Sequence, residues 1–137
     1  MKKWMMWTFK GQAITAEETV NYYGFVYIIH NHSNGKSYIG RKYFTKASYK
    51  TVKGKRKKIR KASDWETYWG SNKVLIADIQ AIGEHNFSRE VLYLCKNRSE
   101  CSYYETYEIF TRGALLTENY YNEWVACKIS KKNVIAK

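Results

Sequence analysis

The stretch GFVYIIHNHSNGKSYIG, residues 24 to 40, sets two apolar runs on either side of an Asn-Gly pair, and few chain geometries accommodate that pattern. Phe25 to Ile29 and Ser37 to Ile39 are rich in β-branched and aromatic side chains, which fit a pleated, half-buried surface. The intervening NHSNG is a reverse-turn signal, so an antiparallel β-hairpin is predicted. Tyr27 and Tyr38 lie eleven residues apart. With an even-numbered loop, opposed residues sum to an odd number and both phenols project from one face. A four-residue loop, Asn31 to Asn34, sets them directly opposite one another. A three-residue bulged loop with Gly35 left-handed is the other solution and needs a local twist. The plain alternative is that both are ordinary strand aromatics.

Positive charge starts where the hairpin ends. Between Thr19 and Ser63 there is no Asp or Glu, but there are twelve cations: Lys36, Arg41, Lys42, Lys46, Lys50, Lys53, Lys55, Arg56, Lys57, Lys58, Arg60 and Lys61. The whole chain carries 24 cations against 12 anions, so the remainder is balanced and the entire net charge of +12 sits in this third. So one-sided a field attracts polyanions, either nucleic acid or an anionic membrane surface. The membrane is the poorer partner, because KGKRKKIRKAS offers only Ile59 as an apolar face for interfacial insertion. A basic loop present for solubility is the plain alternative. Residues 43 to 64 show no apolar period and are expected to form a mobile loop or a polar helix.

The other elements follow from caps and periodicity. ITAEETVNYY begins with Thr15 and has Glu18 three residues later, a capping box for a short helix. In DWETYWGSNKVLIADIQAIGEHNF, Ser71 is a cap for a helix whose Leu75, Ile76, Ile79 and Ile82 recur at helical spacing until Gly83. SREVLYLCK is a third strand, and a last helix runs from Ser99 to Arg112 with Gly113 as its stop. The tail LLTENYYNEWVACKIS is apolar enough to pack back. At 137 residues, 45% of them apolar, one domain spanning residues 1 to 137 is expected, of α/β (α+β) class, with a small three-stranded, mainly antiparallel sheet flanked by helices. No apolar run approaches the ~20 residues that cross a bilayer. Met1 to Gly11 lacks the continuous apolar core of a secretion signal, so the protein is expected in the cytoplasm where it is made. Cys95, Cys101 and Cys127 are odd in number and form no C-x-x-C pair, which favours reduced, partly buried thiols.

In SECSYYETYEIF, Glu105 falls four residues after Cys101 and four before Ile109, on a stripe that otherwise faces the core. A carboxylate directed inward is costly unless it is paired or binds a cation. Glu108 is a competing candidate, and a partly exposed salt-bridged pair is the plain alternative.

Taken together, GFVYII followed by SYIG resembles the signature of the GIY-YIG nuclease superfamily, with Phe25-Val26-Tyr27 in place of Gly-Ile-Tyr and Tyr38-Ile39-Gly40 matching Tyr-Ile-Gly. The likeness continues through YWGSNKVLIADIQAIGEHNFSREVLYLC, similar to the Gly-Ser helix and Asn-Phe strand of phage-borne and homing-type members, to Glu105 and to YYN, which ends in Asn122. The resemblance implies a divalent-metal-dependent DNA endonuclease. Glu105 would hold a single cation, Mg²⁺ with Mn²⁺ as a substitute, beside the scissile phosphate. Tyr27 would orient or deprotonate a water, Tyr38 would support the phosphate, and Asn122 would add a hydrogen bond near the site. A phenol of reference pKa ~10 needs nearby cations to act as a base, and Arg41 and Lys42 are the natural suppliers. Arg41 is also the candidate for stabilising transition-state charge. The family's usual Arg about ten residues after the second tyrosine is missing, because the region reads KASYK. Arg41 or Lys42 replaces it, or Arg56 or Arg60 folds back.

The basic insertion then supplies the grip on double-stranded DNA, through Lys53, Lys55, Arg56, Lys57, Lys58, Arg60 and Lys61. Six to eight phosphate contacts would give a logarithmic salt slope of roughly −5 to −7. His30 and His32 have no partner at metal-ligand spacing and are expected to be exposed or to touch phosphate. Cutting both strands calls for a homodimer or two successive nicks. The rival reading is a noncatalytic DNA- or RNA-binding domain that uses the basic loop and surface tyrosines, with Glu105 structural. A module for an acidic protein partner is a third.

Overall fold

The computed structural model describes residues 6 to 135; Met1 to Met5, part of the stretch read above as lacking a leader, lie outside them. In chain order the elements are β1 (Trp7–Phe9), β2 (Gln12–Ala13), β3 (Gly24–Asn31), β4 (Ser37–Tyr43), β5 (Thr45–Val52), β6 (Lys55–Ala62), α1 (Lys73–Ile82), β7 (Phe87–Cys95), α2 (Arg98–Thr111) and α3 (Lys131–Ile135). No helix among them is long and apolar enough to cross a membrane.

The α+β class is as expected, but the sheet has five strands rather than three, in the order β2-β1-β7-β3-β4. The two additional strands come from the N-terminal segment. β1 adds in parallel to β7 and pairs antiparallel with β2. So short a strand is held by its side chain more than by its ladder. Trp7 is buried, packs edge-on against Phe25 and Tyr27, and donates its indole N–H to the Trp65 carbonyl at 2.7 Å.

β3 lies at the centre and is buried on both faces, which explains why its sequence is a continuous apolar run rather than an alternation. Phe25, Tyr27 and Ile29 face one side, where they meet Trp7, Phe44, Trp65 and the α1 residues Leu75 and Ile79. Val26 and Ile28 face the other, against Ile39, Cys95 and the α2 residues Cys101 and Ile109. Each fully buried aliphatic or aromatic side chain contributes roughly 1.5–3 kcal/mol. The stripe predicted for α2 is therefore the packed one. Its start is capped by Asn97, whose side chain accepts from Glu100 N at 2.8 Å. The cap of α1 lies one residue after the expected position, with Asn72 rather than Ser71 accepting from Leu75 N at 3.0 Å, and the helix stops at Gly83 as predicted. The segment expected as a helix after Thr15 is a single 3-10 turn, Ala16–Thr19, in which the Thr15 side chain makes no cap.

The predicted hairpin is β3–β4, with a different register from the four-residue-loop solution. Tyr27 pairs with Gly40 and Tyr38 with Ile29, because residues 31 to 36 separate the last pair, His30 and Ser37. Asn31 holds this longer turn, its carbonyl accepting from Gly35 N and its side chain from Ser33 N and Oγ. The tyrosines share a face, as the odd sum requires, but on a diagonal with ring centroids 6.3 Å apart. On the other side of β3 the pairing with β7 slips between Val26 and Tyr27, so that Leu92 is skipped. Such a bulge re-aims the side chains beside it, here Tyr27.

The basic stretch is neither a mobile loop nor a helix. It is a two-stranded antiparallel ribbon, β5–β6, separate from the main sheet. Lys53 and Gly54 form its turn with φ of 52° and 76°. Two successive positive φ values are those of a type I′ turn, whose twist suits a tight hairpin. The thiols are free, with Cys95 and Cys101 buried, but Cys127 is exposed rather than partly buried.

A methyl group at Gly40 would lie 2.5 Å from Cζ of Tyr27 and closer still to its hydroxyl. Gly40→Ala is therefore expected to destabilise the fold by about 1–3 kcal/mol in chemical denaturation, as overpacking does. A loss below ~0.5 kcal/mol would show that the ring yields freely.

Candidate active site

A cavity of about 330 Å³ lies against the outer edge of β4, and residues from both faces of the sheet line it. Strand alternation places Tyr38 with Tyr27 on the α1 side and Arg41 with Ile39 on the α2 side. Between them Gly40 carries no side chain. Tyr27, Tyr38, Arg41, Glu105 and Asn122, five of the residues singled out in the sequence, thus border a single space.

Glu105 points from α2 toward β4, where its Oε1 accepts from Arg41 Nη1 at 2.6 Å. Burial pushes the Glu105 carboxyl above its usual pKa, and Arg41 pulls it back only in part. The competing Glu108 is committed elsewhere, accepting from Tyr93 Oη and from Arg112 Nε, each at 2.7 Å.

Tyr27 is fully buried, and its pKa is raised well above the ordinary value, first by desolvation and then by the neighbouring phenols of Tyr68 and Tyr38. The expected supply of cations to this phenol is not what the structure shows. Arg41 faces Glu105, while Lys42 pairs with Asp64 at 2.7 Å and lies 4.0 Å over the ring of Tyr68. Tyr27 therefore holds its proton at neutral pH. Tyr38 is raised as well, by burial first, with a hydrogen bond to Ser71 acting in the opposite direction.

Tyr68 was not named in the sequence, and Ser71 only as a helix cap, yet each lies beside one of the two phenols and affects its pKa. They are carried there by the segment before α1, which Arg89 fixes by donating through Nη1 to the carbonyls of Glu66 at 3.1 Å and Tyr68 at 2.8 Å. Arg89 lies between the rings of Trp7 and Trp69, and burial pushes its pKa down to about 10. Gly70, at φ 89°, turns the chain where a β-carbon would sit 3.5 Å from both Tyr27 Oη and Tyr38 Cε2. A positive φ of that size is open mainly to glycine.

Asn122 acts on the backbone of β4. Its Oδ1 accepts from Ile39 N at 3.0 Å and its Nδ2 donates to Ile39 O at 2.9 Å, so the amide continues the rungs begun by Asn119 and Tyr121 on Ser37. Tyr121 secures the same segment to the turn and to α1, accepting from Asn31 Nδ2 and donating to Asp78 Oδ2.

The remaining candidates stand apart from the cavity. Arg56 lies 4.1 Å over Tyr49, and Arg60 donates to the Thr45 carbonyl at 2.8 Å and to Tyr23 Oη at 3.4 Å, so neither reaches the place of the missing family arginine. Lys53, Lys55, Lys57, Lys58 and Lys61 are exposed on the ribbon. His30 is half-buried and bonded to Ser37, and the exposed His32 to Ser88.

The donor set fits a hard cation. Among the described residues no cluster of three His, Cys, Asp or Glu side chains forms a cage. A single half-buried carboxylate facing an open cavity leaves most of a coordination sphere to water and phosphate oxygens, which is how Mg²⁺ is ordinarily held. Arg41 occupies Oε1 of Glu105, so Oε2 is the oxygen that would hold such an ion.

The family model described as "Putative endonuclease segE, GIY-YIG domain" matches residues 7–125. The chain belongs to the segE-type GIY-YIG family. A relative from Enterobacteria phage T4, described as "Putative endonuclease segE", is 36% identical over 100 residues, which are 73% of this chain and 40% of that protein. The chain thus spans less than half the length of this curated relative. No solved structure matches it. The matched residues of the GIY-YIG domain include both tyrosines, Arg41, Glu105 and Asn122.

A carboxyl whose pKa is raised on folding binds its proton more tightly in the folded state. Its stabilising contribution is complete below the unfolded value of ~4.3 and is lost as pH rises through the folded value. Ionised Glu105 is thus held at a cost at neutral pH. Glu105→Gln is expected to melt no lower than the parent at pH 7.5, with the two converging below pH 4, in thermal unfolding followed across pH. A drop of several degrees at neutral pH would mean that the ion pair with Arg41 stabilises the fold.

Proposed function

We propose that the protein is a divalent-metal-dependent endonuclease that hydrolyses phosphodiester bonds in double-stranded DNA at the cavity beside β4. The observation that carries this reading is the convergence of one half-buried carboxylate, one guanidinium and two phenols from opposite faces of the sheet on a single space. A stable fold has no need of a desolvated Glu105, whereas a site for a phosphate and its cation does.

Each side chain has a role that its surroundings allow. Arg41 offers a planar fork matched to two phosphate oxygens, and a phosphate entering the cavity competes with Glu105 for it. Tyr27 enters with its proton on and so positions a water or a phosphate oxygen by hydrogen bonding, with the Tyr68 phenol beside it. Tyr38, with Ser71 beside it in the cavity wall, supports the same phosphate from the α1 side. Lys42 contributes positive potential from its place over Tyr68. Asn122 keeps β4, and with it Tyr38 and Arg41, in position. The chemistry supplied by Mg²⁺ on Glu105, or by Mn²⁺ in its place, is neutralisation of the scissile phosphate and the leaving oxygen. Cutting both strands takes a second protomer or a second nick.

In a plasmid-nicking assay, Glu105→Ala is expected to abolish cleavage while sparing DNA binding, and a chelator to do the same to the parent protein. Arg41→Ala is expected to cost about 10²–10³-fold in rate, as loss of one preorganised charge-stabilising group does. Full activity in Glu105→Ala would remove that residue from the mechanism. Binding without cleavage of any duplex, single strand or branched substrate, with Mg²⁺ or Mn²⁺ present, would leave a nucleic-acid-binding domain.

A further inference from the structure

The pairing of β5 with β6 sorts the cations of the basic stretch onto two chemically different faces. Residues opposed across the ladder share a face, as do residues two apart along a strand. One face therefore carries Lys46, Lys50, Lys55, Lys57 and Lys61, and the other carries Arg56, Lys58 and Arg60. On the first face Lys46 is set directly against Lys61 and Lys50 against Lys57. Like charges opposed in this way destabilise a ribbon. Among the described residues, none of these five lysines makes an ion pair.

The reverse face is engaged within the protein. Arg56 is stacked 4.1 Å over Tyr49, and Arg60 donates to the Thr45 carbonyl and hydroxyl and to Tyr23, which joins the ribbon to the body. Those arginines stiffen the ribbon. Among the described residues, no ion pair engages the five lysines.

We propose that β5–β6 is a one-sided arm that lays its lysine face along the phosphates of a nucleic-acid duplex, with the arginine face as its back. The strand repeat sets the two opposed lysine pairs about 13 Å apart along the ribbon, so four phosphates are needed to neutralise them. Lysine is a compact point charge on a flexible stem and takes phosphate without reading base edges, so the arm binds duplexes of any sequence. Only the identification of the duplex as DNA rests on the nuclease reading.

The test uses the full chain with a chelator present, so that cleavage plays no part, and follows the affinity for a random-sequence DNA duplex against KCl concentration by fluorescence anisotropy. Two variants lose the same charge from opposite faces: Lys50→Gln/Lys57→Gln/Lys61→Gln and Arg56→Gln/Lys58→Gln/Arg60→Gln. The first is expected to shallow the logarithmic salt slope by about 2.7, at ~0.9 per phosphate, and the second by less than 1. The first is also expected to melt no lower than the parent, since only repulsion is removed. Should a triple variant fail to fold, Lys57→Gln against Lys58→Gln, neighbours on opposite faces, makes the same comparison with an expected difference of ~0.9. Equal slope losses from the two faces, or a larger loss from the arginine face, would overturn the one-sided arm. Tighter binding to duplex RNA or to anionic vesicles than to DNA would overturn the partner. Absence of cleavage by the parent protein would end the nuclease reading and leave these slopes standing.

Discussion

The site depends on a missing β-carbon. At Gly40 the edge strand of the sheet presents bare backbone, and the phenol of Tyr27 occupies the space that any side chain would fill. This close approach lets a residue from the buried centre of the sheet reach the outer edge of β4. Because alternation sends Tyr38 to one side of that strand and Arg41 to the other, the edge is where groups from both faces border one cavity. The bulge at Leu92 and the turn at Gly70 serve the same convergence, one aiming Tyr27 and the other bringing the chain close to both phenols.

The electrostatics of the cavity divide along the same line. On the α2 side a carboxylate and a guanidinium neutralise one another; in the proposed reaction these are the two groups that would exchange partners for a cation and a phosphate. On the α1 side the phenols of Tyr27 and Tyr38 are desolvated and lie near Tyr68, and both hold their protons more firmly than an exposed tyrosine does. The cations that follow the hairpin in sequence do not reverse this. Adjacency along a strand sends successive side chains to opposite faces, and Lys42 finds Asp64 and the ring of Tyr68 instead.

Much of this was legible in the residues. The hairpin, α1, the strand β7 and the inward stripe of α2 follow from period and caps, and Tyr27, Tyr38, Arg41, Glu105 and Asn122 do border one cavity. What escaped did so for identifiable reasons. β1 is only Trp7–Phe9, too short for any period, and it is fastened by one indole. The ribbon has no apolar alternation, and its turn places Lys53 rather than Asn or Asp before the glycine, so the usual hairpin cue is lacking. Tyr68 and Ser71 belong to a segment whose course is set by Arg89 from a distant strand, a long-range dependence that local sequence does not carry. The register of β3–β4 was set by side-chain bonds from Asn31 within the turn, which lengthened it beyond what Asn-Gly alone suggests.

The amide of Asn122 has one more consequence. β4 ends the sheet, and an uncovered last strand invites pairing with another chain. By taking both the N–H and the C=O of Ile39, and by extending the rungs from Asn119 and Tyr121, the C-terminal segment closes that template with a side chain in place of a further strand. This border can thus remain exposed without recruiting copies of the chain into a continuous sheet.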